Sequence, residues 1–269
     1  MQTARPAAVA GAFYPDDPRV LATQVAAYVA QAAPAGEEGA PKAVIAPHAG
    51  YRYSGPVAGS AYARLASLAG RITRVVLVGP AHRLWIGGMA IPSVARFDSP
   101  LGAVALDGPC LAQLARLPGM ELSDAAHARE HSLEVHLPFL RAALGEFRLV
   151  PIVMGDARAQ DVDAVLETLW GGNETLVVVS SDLSHFLDYD AARRKDGATA
   201  EAIVALDAHL DHEEACGATA INGLLRIARR RGLGAKALDL RNSGDTAGGR
   251  DRVVGYGAFA FHEGAHGNA

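Results

Sequence analysis

The chain has little cysteine: two residues in 269, Cys110 and Cys216, far apart in sequence. That count excludes a disulfide framework, and the spacing excludes a CxxC zinc module, so a reducing compartment is expected. Basic clusters are equally scarce. The formal net charge is −4, and the densest basic run, Arg229, Arg230 and Arg231, ends an amphipathic stretch, leaving no electrostatic footprint for nucleic acid. No stretch approaches the roughly 20 apolar residues that a membrane span needs, and the N-terminus, Met1-Gln2-Thr3-Ala4-Arg5-Pro6, has no long apolar run. With membrane and nucleic acid set aside, the expectation is a cytoplasmic protein whose partner is an unidentified small molecule. Internal repeats, low-complexity tracts and a composition shift that would mark a second domain are also lacking.

What is present is apolar residues, at 50% with 20% charged, enough for a sizeable core and too apolar for disorder. Short β-branched runs alternate with stretches of helical period, the pattern of βαβ units. We read one α/β domain over residues 1–269, a mainly parallel central sheet covered by helices. The strands are Ala43–Ala46, Arg74–Val78, Leu149–Val153, Thr175–Val179, Ala235–Leu240 and Val253–Phe261; the first four are nearly continuously apolar, as doubly covered strands should be. Helical stretches are Val20–Ala32, Pro56–Ala69, Pro109–Leu117, Leu133–Leu144, Val162–Leu169, Ala191–Leu206 and Glu213–Arg231. Pro56 is placed to open its helix, and Asp211 with Glu214 has the spacing of a capping box. Pro34–Pro41 reads as a polar linker, and Ile86–Val104 as an irregular β excursion.

Three histidines follow directly on three of these strands: His48 after Val44-Ile45-Ala46-Pro47, His82 after Val76-Leu77-Val78-Gly79-Pro80-Ala81, and His185 after Val177-Val178-Val179-Ser180-Ser181-Asp182-Leu183-Ser184. Open parallel sheets bind ligands outside the carboxyl ends of their strands, so all three belong at one edge. The segment Glu130-His131-Ser132-Leu133-Glu134-Val135-His136 precedes a helix whose N-terminus can face the same pocket. His127, His209, His212, His262 and His266 lack this placement and read as surface residues. The glycines of Gly50-Tyr51-Arg52-Tyr53-Ser54-Gly55 read as a tight turn beside His48 rather than a phosphate cradle. Cys216, near a helix start, reads as a small packing residue rather than a thiol activated by the dipole.

Two imidazoles with one carboxylate and open positions suit non-haem Fe(II), the first candidate, with zinc or copper as alternatives. Zinc would point to hydrolysis. The carboxylates near the inferred pocket are Glu130, Asp182 and Asp245. A histidine not spent on metal can serve as acid or base near neutral pH; His185 and His131 are the candidates, with Asp182 placed to orient the His185 ring. No serine sits in a GxSxG elbow, which sets aside a serine hydrolase.

Taken together, Gly11-Ala12-Phe13-Tyr14-Pro15, Pro47-His48-Ala49-Gly50-Tyr51, Gly79-Pro80-Ala81-His82, Glu130-His131-Ser132-Leu133-Glu134-Val135-His136 and Ser180-Ser181-Asp182-Leu183-Ser184-His185 resemble the motifs of the Memo family, in family order from about Arg5 to Phe261. In prokaryotes that family is called protein B of the AmmeMemoRadiSam system, which implies AMMECR1-like and radical SAM proteins as partners. Its fold resembles that of class III extradiol dioxygenases, Fe(II) enzymes that cleave catechol rings. The resemblance implies His48 and His82 as metal ligands, His185 as the acid–base histidine and His131 as a substrate contact. Dioxygenases supply a late glutamate as third ligand and animal Memo proteins a cysteine; at that place this chain offers Asn242-Ser243-Gly244-Asp245-Thr246, hence Asp245. Two readings follow: a metal-dependent oxidation of a small molecule, or a non-enzymatic ligand- or protein-binding pocket.

Overall fold

The computed structural model describes residues 3–33 and 39–263. Its strands are β1 (Ala4–Arg5), β2 (Ala43–Ala46), β3 (Arg74–Pro80), β4 (Met89–Ile91), β5 (Arg96–Phe97), β6 (Val104–Ala105), β7 (Met120–Leu122), β8 (Arg148–Met154), β9 (Thr175–Ser180), β10 (His185–Leu187), β11 (Leu233–Asn242) and β12 (Val253–Glu263). The α-helices are α1 (Pro18–Ala30), α2 (Tyr51–Tyr62), α3 (Gly108–Leu114), α4 (Asp124–Ala128), α5 (Leu137–Leu144), α6 (Ala159–Leu169), α7 (Tyr189–Val204) and α8 (Ala218–Arg231).

Nine strands form one sheet in the order β10-β12-β2-β9-β3-β8-β4-β7, with β11 also on β12; β1, β5 and β6 form a small separate sheet. At its centre β2, β9, β3 and β8 run parallel, with Ala46 opposite Ser180 and Val78 opposite Val179. Their residues are almost wholly buried, because helices flank the sheet: α1, α2 and α5 pack together, and α6 packs on α8. All six strands read from sequence are present. The sheet is mixed rather than wholly parallel, since β12 runs antiparallel to β2 and β11 antiparallel to β12.

Several boundaries differ for local reasons. Helix α2 starts at Tyr51, three residues after His48, and contains Pro56 in its interior; the Tyr51 N–H, which has no partner within the helix, donates to the Phe13 carbonyl at 2.7 Å. The Asp211–Glu214 capping bonds form, at 2.8 and 3.0 Å, but on a turn, and α8 begins only at Ala218. The stretch read as a helix from Leu133 opens as a 3-10 turn, Glu134–His136, before α5. The Ile86–Val104 excursion supplies β4 to the main sheet and β5 to the small one. Of the Pro34–Pro41 linker, residues 34–38 lie outside the described residues.

Candidate metal centre

The parallel strands end side by side, so the segments after β2, β3 and β9 converge. His48 is buried, its backbone N–H donating to Asp182 Oδ1 at 2.7 Å. Its ring Nδ1 lies 2.6 Å from Ser180 Oγ, and that hydroxyl gives its single proton to the Ser132 carbonyl, also at 2.6 Å. Ser180 can therefore only accept from His48. Nδ1 carries the proton and Nε2 presents a lone pair. Close packing enforces the arrangement: a Cβ on Gly79 would lie 2.9 Å from Leu133 and 3.0 Å from Ser180, so β3 needs glycine to pass this serine pair.

Glu130 organises the second and third histidines. Its buried carboxylate accepts the backbone N–H groups of His82 (2.6 Å), His131 (2.9 Å) and Ser132 (2.9 Å), and the His82 ring Nδ1 at 3.0 Å. Burial alone would raise its pKa; the His82 ring and the Ser132 and His82 backbone donors outweigh that and hold it at about 2. An acceptor-only carboxylate fixes the His82 tautomer as Ser180 fixes that of His48, freeing Nε2. One ring nitrogen from each of His48, His82 and His131 lies within 4.8 Å of the other two. The rings pack against one another, with His82 and His131 stacked at 4.6 Å and His48 edge-on to both. Phe13 closes over His131, its ring centroid 4.6 Å away.

Burial keeps His48 well below the usual imidazole pKa, with further lowering from the neighbouring histidines, and brings His131 down to about 4. These rings are neutral at pH 7, as ligation requires. His185, half-buried at the start of β10, is also lowered by burial, partly countered by the Leu183 carbonyl and reinforced by His82. Asp182 is raised to about 7 by burial, against the His48 backbone bond. Among the described residues its hydrogen bonds come from the His48 and Ala49 backbone and none from the His185 ring, so Asp182 holds the loop that carries His48.

Asp245 stands apart from this group. It closes a 3-10 turn (Ser243–Asp245) as a capping box, Oδ2 accepting the Asn242 N–H at 2.9 Å and Oδ1 the Tyr189 hydroxyl at 2.5 Å. The expected result is that Asp245→Ala leaves metal affinity within twofold of the parent by calorimetric titration, with a stability loss of about 1 kcal/mol from the lost cap. A tenfold weaker affinity would reinstate Asp245 as a ligand.

The cysteine that reaches the histidines is Cys216, in the turn before α8, with Sγ 3.4 Å from His48 Nε2. The helix start does not activate it: burial, then the Asp182 charge, pushes the thiol up to about 12. A Cβ on Gly217 would lie 2.6 Å from the Ser180 carbonyl, so the Cys-Gly pair presses against the end of β9. His127, read as a surface residue, is buried beneath β4 with Nε2 3.1 Å from the Ala90 carbonyl. His136 is buried too, bonded to Tyr62 at 2.7 Å and outside the cluster. His209 and His212 are exposed and His262 is half-buried; His266 lies outside the described residues.

A family model described as Memo-like protein matches residues 5–260. Curated relatives include a MEMO1 family protein of Methanopyrus kandleri, 34% identical over 97% of this chain and 99% of its own length. Another, from Aquifex aeolicus, is 34% identical over 96% and 98%. Among solved structures, an uncharacterized protein of Escherichia coli K12 matches with a TM-score of 0.46 at 14% identity, over 80% of this chain and 98% of that one.

Proposed function

The chain belongs to the Memo family, and from that premise we propose that its histidine cluster holds one transition-metal ion for the oxidation of a small molecule. His48, His82 and His131 are the donors, with the Cys216 thiol beside His48. The observation that carries this is the pair of fixed tautomers: Ser180 and Glu130 occupy the Nδ1 atoms and leave both Nε2 lone pairs for an ion. The donor set fits a borderline metal, because imidazole suits iron, zinc and copper alike. It departs from the two-histidine, one-carboxylate pattern, since both Glu130 oxygens are taken by N–H donors and Asp245 is elsewhere. A bound iron or copper ion would supply electron exchange with dioxygen, and zinc would supply Lewis acidity.

The remaining roles belong to the protein's own groups. His185, neutral at pH 7, is the base that takes a proton from a hydroxyl-bearing ligand; Asp182, at about 7, can hold or release a proton beside the His48 loop. Phe13 and the histidine rings give the pocket an aromatic wall. Glu130 acts through His82, so Glu130→Gln is expected to weaken metal binding 10- to 100-fold, the usual range for groups that orient ligands, measured by competition with a chromogenic chelator. Unchanged affinity would remove Glu130 from the site.

A second reading, a docking pocket for AMMECR1-like or radical SAM proteins, is favoured by large apolar side chains exposed beside two of the histidines. Trp85 is 80% exposed three residues after His82, and Phe186 is 62% exposed directly after His185. Metal analysis of anaerobically purified protein, followed by oxygen uptake with catechols and other phenols, separates the two. Uptake that disappears in His185→Ala supports oxidation. Metal-loaded protein that consumes no oxygen but binds a partner, and loses it in Trp85→Ala, supports docking.

A further inference from the structure

At the opposite, amino-terminal edge of the sheet lies a cavity of about 230 Å³, lined by Pro41, Lys42, Leu68, Arg71, Ile72, Asn173 and neighbouring residues. It sits where β2, β3 and β9 begin, far along the strands from the histidines. The basic residues of this chain are nearly all arginine: of 25 only Lys42, Lys195 and Lys236 are lysine. Lys42 is the buried one, at 7% exposure.

Its ammonium has three N–H donors and spends two, on the Gly172 carbonyl at 2.6 Å and the Thr175 carbonyl at 2.7 Å, with Nζ 5.4 Å from the centre of the Trp170 ring. Both partners are neutral. A buried cation ordinarily has a counter-charge in contact, whereas the carboxylates that act on Lys42, Glu174 and Glu263, make no hydrogen bond to it, and Arg231 acts against it. Burial accordingly brings the Lys42 pKa down to about 8. The same cavity wall carries the Arg71 guanidinium and the Asn173 amide, neither engaged by a side-chain bond among the described residues. Among the described residues the only carboxylate in the lining is Glu263, so the cationic donors outnumber it. A compact point charge with one open donor, beside a planar guanidinium and an amide, is the equipment that recognises phosphate or carboxylate oxygens.

We propose that this cavity is a second binding site, for a small oxyanion held by the third N–H of Lys42 together with Arg71 and Asn173. Titration of the full-length protein with inorganic phosphate and, separately, acetate, against sodium chloride at matched ionic strength, tests it. The expected result is one saturable phosphate or acetate site per chain with a rise in melting temperature, the tighter of the two naming the natural class. Affinity should fall at least tenfold in Lys42→Met and in Arg71→Ala, and stay unchanged in His82→Ala. Arg71 is exposed, so its variant reports even where Lys42→Met fails to fold. No saturable signal beyond chloride, or Arg71→Ala binding like the parent, would overturn the site.

Discussion

Alanine in place of His82 or His48 is expected to abolish stoichiometric binding of Fe(II) and Zn(II). His48 and His82 come from two strand ends and His131 from the segment between α4 and α5, and the remaining two imidazoles cannot enclose an ion. Loss of a group that merely orients a ligand costs roughly 10- to 100-fold in affinity, so loss of a direct donor should carry binding below detection in a titration at micromolar protein. The two variants should differ in stability. His82 is part-exposed, and its replacement frees only the Glu130 bond, so the melting temperature should hardly move. His48 is buried between Ser180 and Cys216, and its removal leaves a cavity and takes from Ser180 Oγ the hydrogen bond that it accepts, a loss of about 1–3 kcal/mol. Anaerobic calorimetry with circular dichroism checks both. Parent-like affinity in either folded variant would remove that histidine from the site.

The largest effect on stability is expected at Glu134, three residues after His131. Its carboxylate is almost wholly buried and fully used: Oε2 takes the Ala8 N–H at 2.8 Å and Arg5 Nη1 at 2.7 Å, and Oε1 takes the Val9 N–H at 2.9 Å and the Tyr14 hydroxyl at 2.6 Å. Glu134→Ala leaves the Arg5 guanidinium buried without its counter-charge and three other donors unpaired. Removing one partner of a buried ion pair costs about 3–5 kcal/mol, on the order of 10 °C for a chain of this size. Arg5 also donates to the His127 and Glu130 carbonyls, at 2.6 and 2.7 Å, so the loop bearing His131 loosens with it and metal binding weakens in parallel. Urea unfolding gives the number; a loss below 1 kcal/mol would mean that this clamp does not hold the segment.

The convergence of His48 and His82 was legible because it depends only on strand periodicity and on the rule that parallel strands expose their carboxyl ends together; the third ring of the cluster is His131 and not His185. The orientation of β12 was not legible: an apolar strand has the same pattern in either direction, and only its pairing with β2 settles it. Asp245 misled because Asn242-Ser243-Gly244-Asp245 reads equally as a ligand loop and as a capped turn, and the capping bonds decide. Cys216 was read as a packing residue, and its approach to His48 was not legible because it is a contact across 168 residues, carried by a turn with no periodic signal. His127 lies on a five-residue helix too short for a burial pattern, and is drawn inside by Arg5 and the Ala90 carbonyl.

X-ray absorption at the metal edge of anaerobically loaded protein tests the histidine centre most directly. The expected spectrum has two or three imidazole nitrogens at about 2.0–2.1 Å, with a sulfur at about 2.3 Å when Cys216 joins. A shell of oxygens alone, without imidazole scattering, would contradict the assignment of His48, His82 and His131 as the ligands.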